Sequence, residues 1–303
     1  MSTPASCRVF ALLCAASVLI WRNPLLATLT LALRDDAYTH ILLVIPVSAM
    51  LMVMAWHKGA WKPKPSMHIG TALLCAAAVV GLCGLRWGKV DLLTGDVRLA
   101  IEMLAVVVWL IGSVVFSFGV HIFRRGLFPL LFLLWLVPMP QFMLNRVVEI
   151  LQQGTTSAAR LLFTITGIPV TQDGKTLTIP RLTVEVAEEC SSIRSSMMLV
   201  VTSTVMSYLL LRSLWGRTLV MLAAIPLSIA KNGLRVFTLA VLGSYVDPEI
   251  LNSPLHRQGG IVFFAIALAG MFGLIWLAAR LERTPDKPST TAQLPSLSTS
   301  AIK

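Results

Sequence analysis

The stretch Glu188-Glu189-Cys190-Ser191-Ser192-Ile193-Arg194-Ser195-Ser196, running straight into the apolar segment 197–211, decides how this chain is read. A charged, polar run gives way within a few residues to Met, Leu and Val, as happens where a membrane helix enters hydrocarbon from water. Outward from that boundary the same kind of apolar run recurs over 4–21, 37–56, 67–85, 99–120, 127–137, 218–243 and 260–279. Most of these approach the ~20 residues needed to cross a bilayer. The whole chain is 56% hydrophobic and 13% charged, unlike a soluble domain. The expected fold is therefore an all-α polytopic membrane protein of about eight transmembrane helices. These form one domain over 1–283, and the Ser/Thr/Pro-rich tail 284–303 is expected to be disordered and cytoplasmic.

Two regions depart from the plain helical pattern. Segment 4–21 resembles a signal peptide, but no small-residue cleavage site follows it before further spans, so it reads as an uncleaved first helix. Arg22-Asn23-Pro24 stops it, and 25–33 is read as lying along the interface. The second region is an insert over 141–190. Residues 145–166 mix apolar and polar side chains at helical spacing, which predicts an amphipathic helix near the surface. Beyond it, Ile168-Pro169-Val170 and Leu177-Thr178-Ile179 flank the turn signal Asp173-Gly174, and 182–186 alternates apolar with polar residues. That pattern predicts a small exterior β-hairpin or three-strand element before the Cys190 helix.

Net charge is +11, but the basic residues lie largely between apolar runs. This points to topology and lipid headgroups and away from nucleic acid. With a cytoplasmic N-terminus, the inner loops 57–66, 121–126 and 212–217 carry seven Lys/Arg and no acidic residue. The longer outer segments carry ten, at about one third of the density. The positive-inside rule then places Cys190 on the exterior, periplasmic face of the inner (cytoplasmic) membrane.

Of five cysteines, only Cys190 lies at a polar-to-apolar boundary; Cys7, Cys14, Cys75 and Cys83 sit within apolar runs and read as small packing residues. Backbone N–H groups and the helix dipole at such a position favour thiolate, and Arg194, one turn on, adds positive charge. No CxxC pair or Cys/His metal spacing occurs, so neither a zinc site, a disulfide framework nor a cofactor is indicated. Arg235 lies about 26 Å along the next span from Thr218, near its outer edge. His256 falls just before the last span. A thiol, a guanidinium and an imidazole thus converge on one membrane face from three segments, a set suited to acyl transfer. Thiolate attacks a carbonyl, a cation stabilises the oxyanion, and imidazole moves protons.

Each residue also has a plain structural reading. Arg235 could be a snorkelling interfacial arginine, but it shares a helix face with Lys231 and Asn232, and intramembrane ionisable groups mark function. His256 alone would read as an ordinary loop histidine, as His40, His57, His68 and His121 do. A membrane transporter is the alternative class, with Lys231, Arg235 and Arg194 as an anion path. It would not need Cys190. A scaffold would need none of the three.

At these positions the chain resembles the exosortase/archaeosortase family of integral-membrane cysteine transpeptidases. Glu189-Cys190-Ser191-Ser192-Ile193-Arg194-Ser195 is similar to that family's A-C-S-G-[IL]-R-S core, with Ser192 in place of the usual Gly. The segment from Ile225-Pro226 to Asn232 and Arg235 resembles its I-P-x-x-x-x-x-N-x-x-R helix, and His256-Arg257-Gln258-Gly259 its His-x-x-Gly entry to the last helix. Tyr38-Thr39-His40 is similar to a Tyr-Ser-His-Gly element, with Ile41 replacing Gly, and Phe128-Pro129 with Pro138-Met139-Pro140 also fits. The resemblance covers about 37–280. It implies Cys190 as nucleophile, Arg235 as oxyanion or carbonyl stabiliser and His256 as proton-transfer partner, with Arg194 and Asn232 in support. It further implies substrates that are exported proteins ending in a short Pro-Glu-Pro-like motif, a transmembrane helix and a basic cluster. The expected acceptor is a membrane lipid or another envelope nucleophile.

Overall fold

The computed structural model describes residues 3–57, 64–87, 94–180, 182–186, 193–245 and 260–282. The helices are α1 (Thr3–Ile20), α2 (Arg22–Arg34), α3 (Ile41–His57), α4 (Met67–Trp87), α5 (Gly95–Phe118), α6 (Val120–Arg125), α7 (Leu127–Phe132), α8 (Gln141–Ile165), α9 (Ile193–Leu210), α10 (Leu214–Tyr245) and α11 (Gly260–Glu282). Short 3₁₀ turns precede α3 (Asp36–Tyr38) and follow α7 (Leu133–Leu136). Among the described residues six helices are long and apolar enough to cross a membrane, and eight spans result if each of two bent pairs counts as one. The chain is an all-α polytopic membrane protein, as its hydropathy predicts.

The bends fall where the sequence breaks helices. The first helix meets α2 at 76°, next to Arg22-Asn23-Pro24. The stretch Leu127–Leu136 meets α8 at 96°. Read from sequence as a span of its own, that stretch is too short to cross hydrocarbon alone. Pro138 and Pro140 each lack an N–H and hold the residue before them extended, so the helix cannot continue. The amphipathic helix expected over 145–166 starts four residues earlier, at Gln141 directly after Pro140. It buries Leu151, Gln152, Thr155, Thr156, Ala159 and Phe163 and exposes Ile150, Leu161 and Ile165.

Helices α4 and α5 form an antiparallel pair sealed by small residues. A Cβ on Gly70 would fall 2.5 Å from Phe116, and one on Gly112 3.1 Å from Leu73. Gly119 then turns the chain at φ 93°. The Lys64 carbonyl oxygen lies 1.8 Å from where a side chain would begin, so both backbone conformation and contact demand glycine there.

The second half is a bundle around α10. Leu199 and Leu211 of α9, Val220 and Ala224 of α10, and Ala267, Met271 and Ile275 of α11 make one core. Helix α11 is antiparallel to α10, since Gly260 abuts Arg235, Gly270 meets Leu227 and Glu282 meets Gly216. Helix α8, by contrast, crosses α10 running in the same direction as it: Gly154 faces Ile229, Ala158 faces Gly233 and Phe163 meets Phe237 edge-on. The three-stranded antiparallel sheet, β1 (Thr171–Asp173), β2 (Thr176–Ile179) and β3 (Leu182–Glu185) in that order, packs Leu177 and Ile179 against Phe163, Val236 and Ala240.

The described parts of the three short basic loops lie at one end of the bundle. Lys64 N–H donates to the Phe118 carbonyl, Gly126 approaches Met52, Phe128 stacks on Tyr208 and Arg217 lies over the Tyr208 ring. There the Glu282 carboxylate accepts the N–H groups of Arg212 (2.8 Å) and Ser213 (3.2 Å), and Arg217 closes on the Leu211 carbonyl.

The α8–α10 contact is the tightest joint in this half. A Cβ on Gly233 would sit 2.6 Å from Ala158 Cβ and 3.1 Å from Ala159 N, whereas one on Gly273 meets nothing within 4 Å. Gly233→Ala is expected to destabilise the protein by about 1–3 kcal/mol through overpacking. Gly273→Ala should be neutral or slightly stabilising, because alanine is the better helix former. Thermal unfolding in detergent would separate the two; equal midpoints would show that α8 does not seat on α10 as described.

Candidate functional site

Lysine and arginine on one face of α10 form the described part of the site. Lys231 and Arg235 are one turn apart, 5% and 8% exposed, on a helix otherwise dominated by apolar residues. Burying an ammonium is costly unless it is hydrogen-bonded, and Lys231 Nζ donates to Ser195 Oγ in the first turn of α9. Among the described residues no carboxylate forms an ion pair with Lys231. Arg235 reaches the other antiparallel neighbour: a Cβ on Gly260, the first residue of α11, would lie 3.9 Å from its Nη1. Arg235 is therefore level with the start of α11, while α10 runs on to Tyr245 beside the sheet.

A second set of contacts ties the first half of the chain to the same end. Arg194 Nη1 donates to Asp36 Oδ1 at 2.9 Å, linking α9 to the turn before α3. Two residues on, Tyr38 Oη donates to the Met139 carbonyl at 2.7 Å, inside the Pro138–Pro140 breaker, and Gln141 N–H donates to Asp96 Oδ2 at 2.6 Å. His40 is buried edge-on against Trp135, with Nδ1 3.1 Å from the Ala37 carbonyl. The resemblance at Tyr38-Thr39-His40 and at Pro138-Met139-Pro140 thus falls on two segments that touch.

Of the residues singled out from sequence, Arg235, Asn232 and Arg194 are described, and Cys190 and His256 lie outside the described residues. Asn232 is wholly buried. Arg194 is expected to lend positive charge beside Cys190; its side chain is 56% exposed and engages Asp36. Of the other four cysteines, expected to be small packing residues, Cys7 and Cys75 lie exposed on apolar helix surfaces and do not pack in the core.

Sequence reasoning missed two features here. The Lys231–Ser195 contact joins two residues that were visible separately, one as an intramembrane cation and the other inside the Cys190 motif. Gln152 was not singled out at all. It is 3% exposed on α8, with Nε2 donating to the Val186 carbonyl at 3.3 Å and Oε1 accepting from Lys175 Nζ at 2.5 Å. A polar residue on the buried stripe of an amphipathic helix was the available signal.

The order of contacts along α10, from Ser195 at Lys231 to Gly260 at Arg235, accompanies a family match. A family model described as transmembrane exosortase covers residues 21–273. The chain belongs to the transmembrane exosortase family. No curated protein and no solved structure matches it. The exosortase match begins directly after α1 and takes in Cys190, Lys231, Arg235 and His256. It gives the chain a membrane exosortase-type function and multi-pass membrane placement, with protein substrates that carry sorting signals as the implied partners.

Proposed function

We propose that this chain is a membrane cysteine transpeptidase that cleaves the C-terminal sorting signal of exported proteins on the exterior face of the inner membrane. One observation supports it most. The helix start that follows Cys190 docks at Lys231 through Ser195, and the helix start that follows His256 abuts Arg235, four residues away. Ser195 is five residues beyond Cys190 and Gly260 four beyond His256, so both flanks of the reading meet on one turn of α10.

The reaction balances as follows. The Cys190 thiolate attacks the scissile carbonyl carbon, and the Arg235 guanidinium holds the oxyanion. The C–N bond breaks, the amine leaves with a proton from the His256 imidazolium, and a thioester remains on Cys190. An acceptor nucleophile, a membrane lipid or another envelope group, gives its proton to His256 and displaces the thiolate. The substrate's own transmembrane helix would hold its sorting motif at the level of this turn, where the spans meet water. The seven Lys/Arg of the short loops 57–66, 121–126 and 212–217, whose described members lie at the opposite end, support the exterior placement.

A single-cysteine protein tests thiol and face together. With Cys7, Cys14, Cys75 and Cys83 replaced by alanine, a membrane-impermeant maleimide added to spheroplasts is expected to label Cys190 and stop processing of a tagged precursor. Labelling only after permeabilisation would overturn the exterior placement. Labelled protein that still processes its precursor would overturn the thiol mechanism.

A further inference from the structure

Gln152 belongs to none of the motifs above, yet its side chain joins Lys175 and Val186 in the segment that leads to Cys190 in sequence. It lies on α8, close to where that helix crosses α10, and is almost wholly buried. Its amide is used at both ends. Nε2–H donates to the carbonyl of Val186, and Oε1 accepts from the Lys175 ammonium at the tip of the β1–β2 hairpin. Val186 N–H in turn donates to the Lys175 carbonyl at 3.0 Å, and the Val186 side chain is fully buried with Leu177 and Ile179. One side chain therefore pins both the hairpin tip and the end of β3 to α8. A buried amide satisfied by two partners holds its position firmly, because losing either partner leaves a buried polar atom unpaired.

The residue so fixed stands four before Cys190 in sequence, and the chain resumes as α9 at Ile193. There the first turn is tied by Ser195 to Lys231 and by Arg194 to Asp36. The described residues on either side of Cys190 in sequence are thus anchored, Val186 to α8 and Ser195 to α10. A misplacement of about 1 Å at a reacting atom can cost on the order of 10²-fold in rate.

We propose that Gln152 is a positioning residue for the transpeptidation, acting through its hydrogen bond to the Val186 carbonyl to set where the Cys190 connection leaves the sheet. This rests on the transpeptidase reading above. It gives the small sheet a role: the sheet is the rigid side of a mount for the thiol. Residues on functional mounts are expected to act on the chemical step more than on substrate binding, because they touch no substrate.

The test uses the full-length protein in membranes with a tagged precursor. Gln152→Leu removes both bonds, and Gln152→Glu keeps an acceptor for Lys175 while removing the donor to Val186. Both are expected to lower kcat at least about tenfold with KM within about twofold, and to slow alkylation of Cys190 by a maleimide. Thr183→Ala, on the exposed face of the same sheet, should leave both readouts unchanged. If Gln152→Glu keeps full kcat, or if both variants raise KM and leave kcat intact, the positioning role is overturned. If they lose activity only in proportion to folded protein in the membrane, with the alkylation rate of the remainder unchanged, the role is structural and the proposal also falls. Failure of the transpeptidase reading itself is seen separately, as normal processing by Cys190→Ala.

Discussion

Cys190→Ala is expected to abolish precursor processing while leaving the protein inserted and folded. Removing the nucleophile from a covalent mechanism costs at least about 10³-fold, because attack by the nucleophile sets up every later step. The uncleaved, C-terminally tagged precursor should accumulate in the membrane. Stability should change little, since the replacement removes a single sulfur from a segment expected at the water interface, where side chains contribute modestly. Cys190→Ser should retain at most a trace, because a hydroxyl is a far weaker nucleophile at neutral pH. Processing at the normal rate by Cys190→Ala would refute the transpeptidase reading and move the anion-path transporter ahead of it, since that reading uses Lys231 and Arg235 but no thiol.

Much of the architecture was legible because the bilayer imposes a strong, one-dimensional signal. A span must be about 20 residues of apolar side chains, so the runs over 37–56, 67–85 and 260–279 correspond closely to α3, α4 and α11. The sheet was legible too, because Asp173-Gly174 marks a turn and Gly174 takes a positive φ of 58° there. Tertiary contacts carried no such signal. Gly154 and Gly233 are 79 residues apart and look like ordinary helix-weakening glycines; their reason is the close crossing of α8 on α10. The segment 127–137 counted as a span by hydropathy, yet Pro138 and Pro140 divert it into a 96° bend after ten residues, Leu127–Leu136. At the site, a count along α10 predicts Arg235 near the end of a span, and the first residue of α11, Gly260, lies beside it. The hydroxyl that receives Lys231 and the amide that holds Val186 depend on which faces meet, and a single sequence does not specify that.

Arg235 carries the second large effect. Arg235→Ala is expected to lower kcat by about 10²–10³-fold, the range for losing a donor to a developing oxyanion, with a much smaller change in KM. Its position makes the choice between roles sharp. Arg235 is buried, one turn from Lys231 and against the first residue of α11, so it does not reach out to bulk water as a snorkelling side chain would. Arg235→Lys retains a charge but gives up the planar fork of N–H donors, and a compact ammonium of shorter overall reach would not reproduce the geometry. It should recover only a small part of the lost rate. Arg194→Ala provides the contrast, because Arg194 is 56% exposed and pairs with an Asp36 that is itself 74% exposed. Exposed pairs of this kind contribute about 0–1 kcal/mol, so processing should fall no more than a few fold. Steady-state kinetics on reconstituted protein distinguishes these outcomes. A loss confined to KM in Arg235→Ala would make Arg235 a substrate-binding cation. A loss in Arg194→Ala equal to that in Arg235→Ala would shift the oxyanion role from α10 to the start of α9.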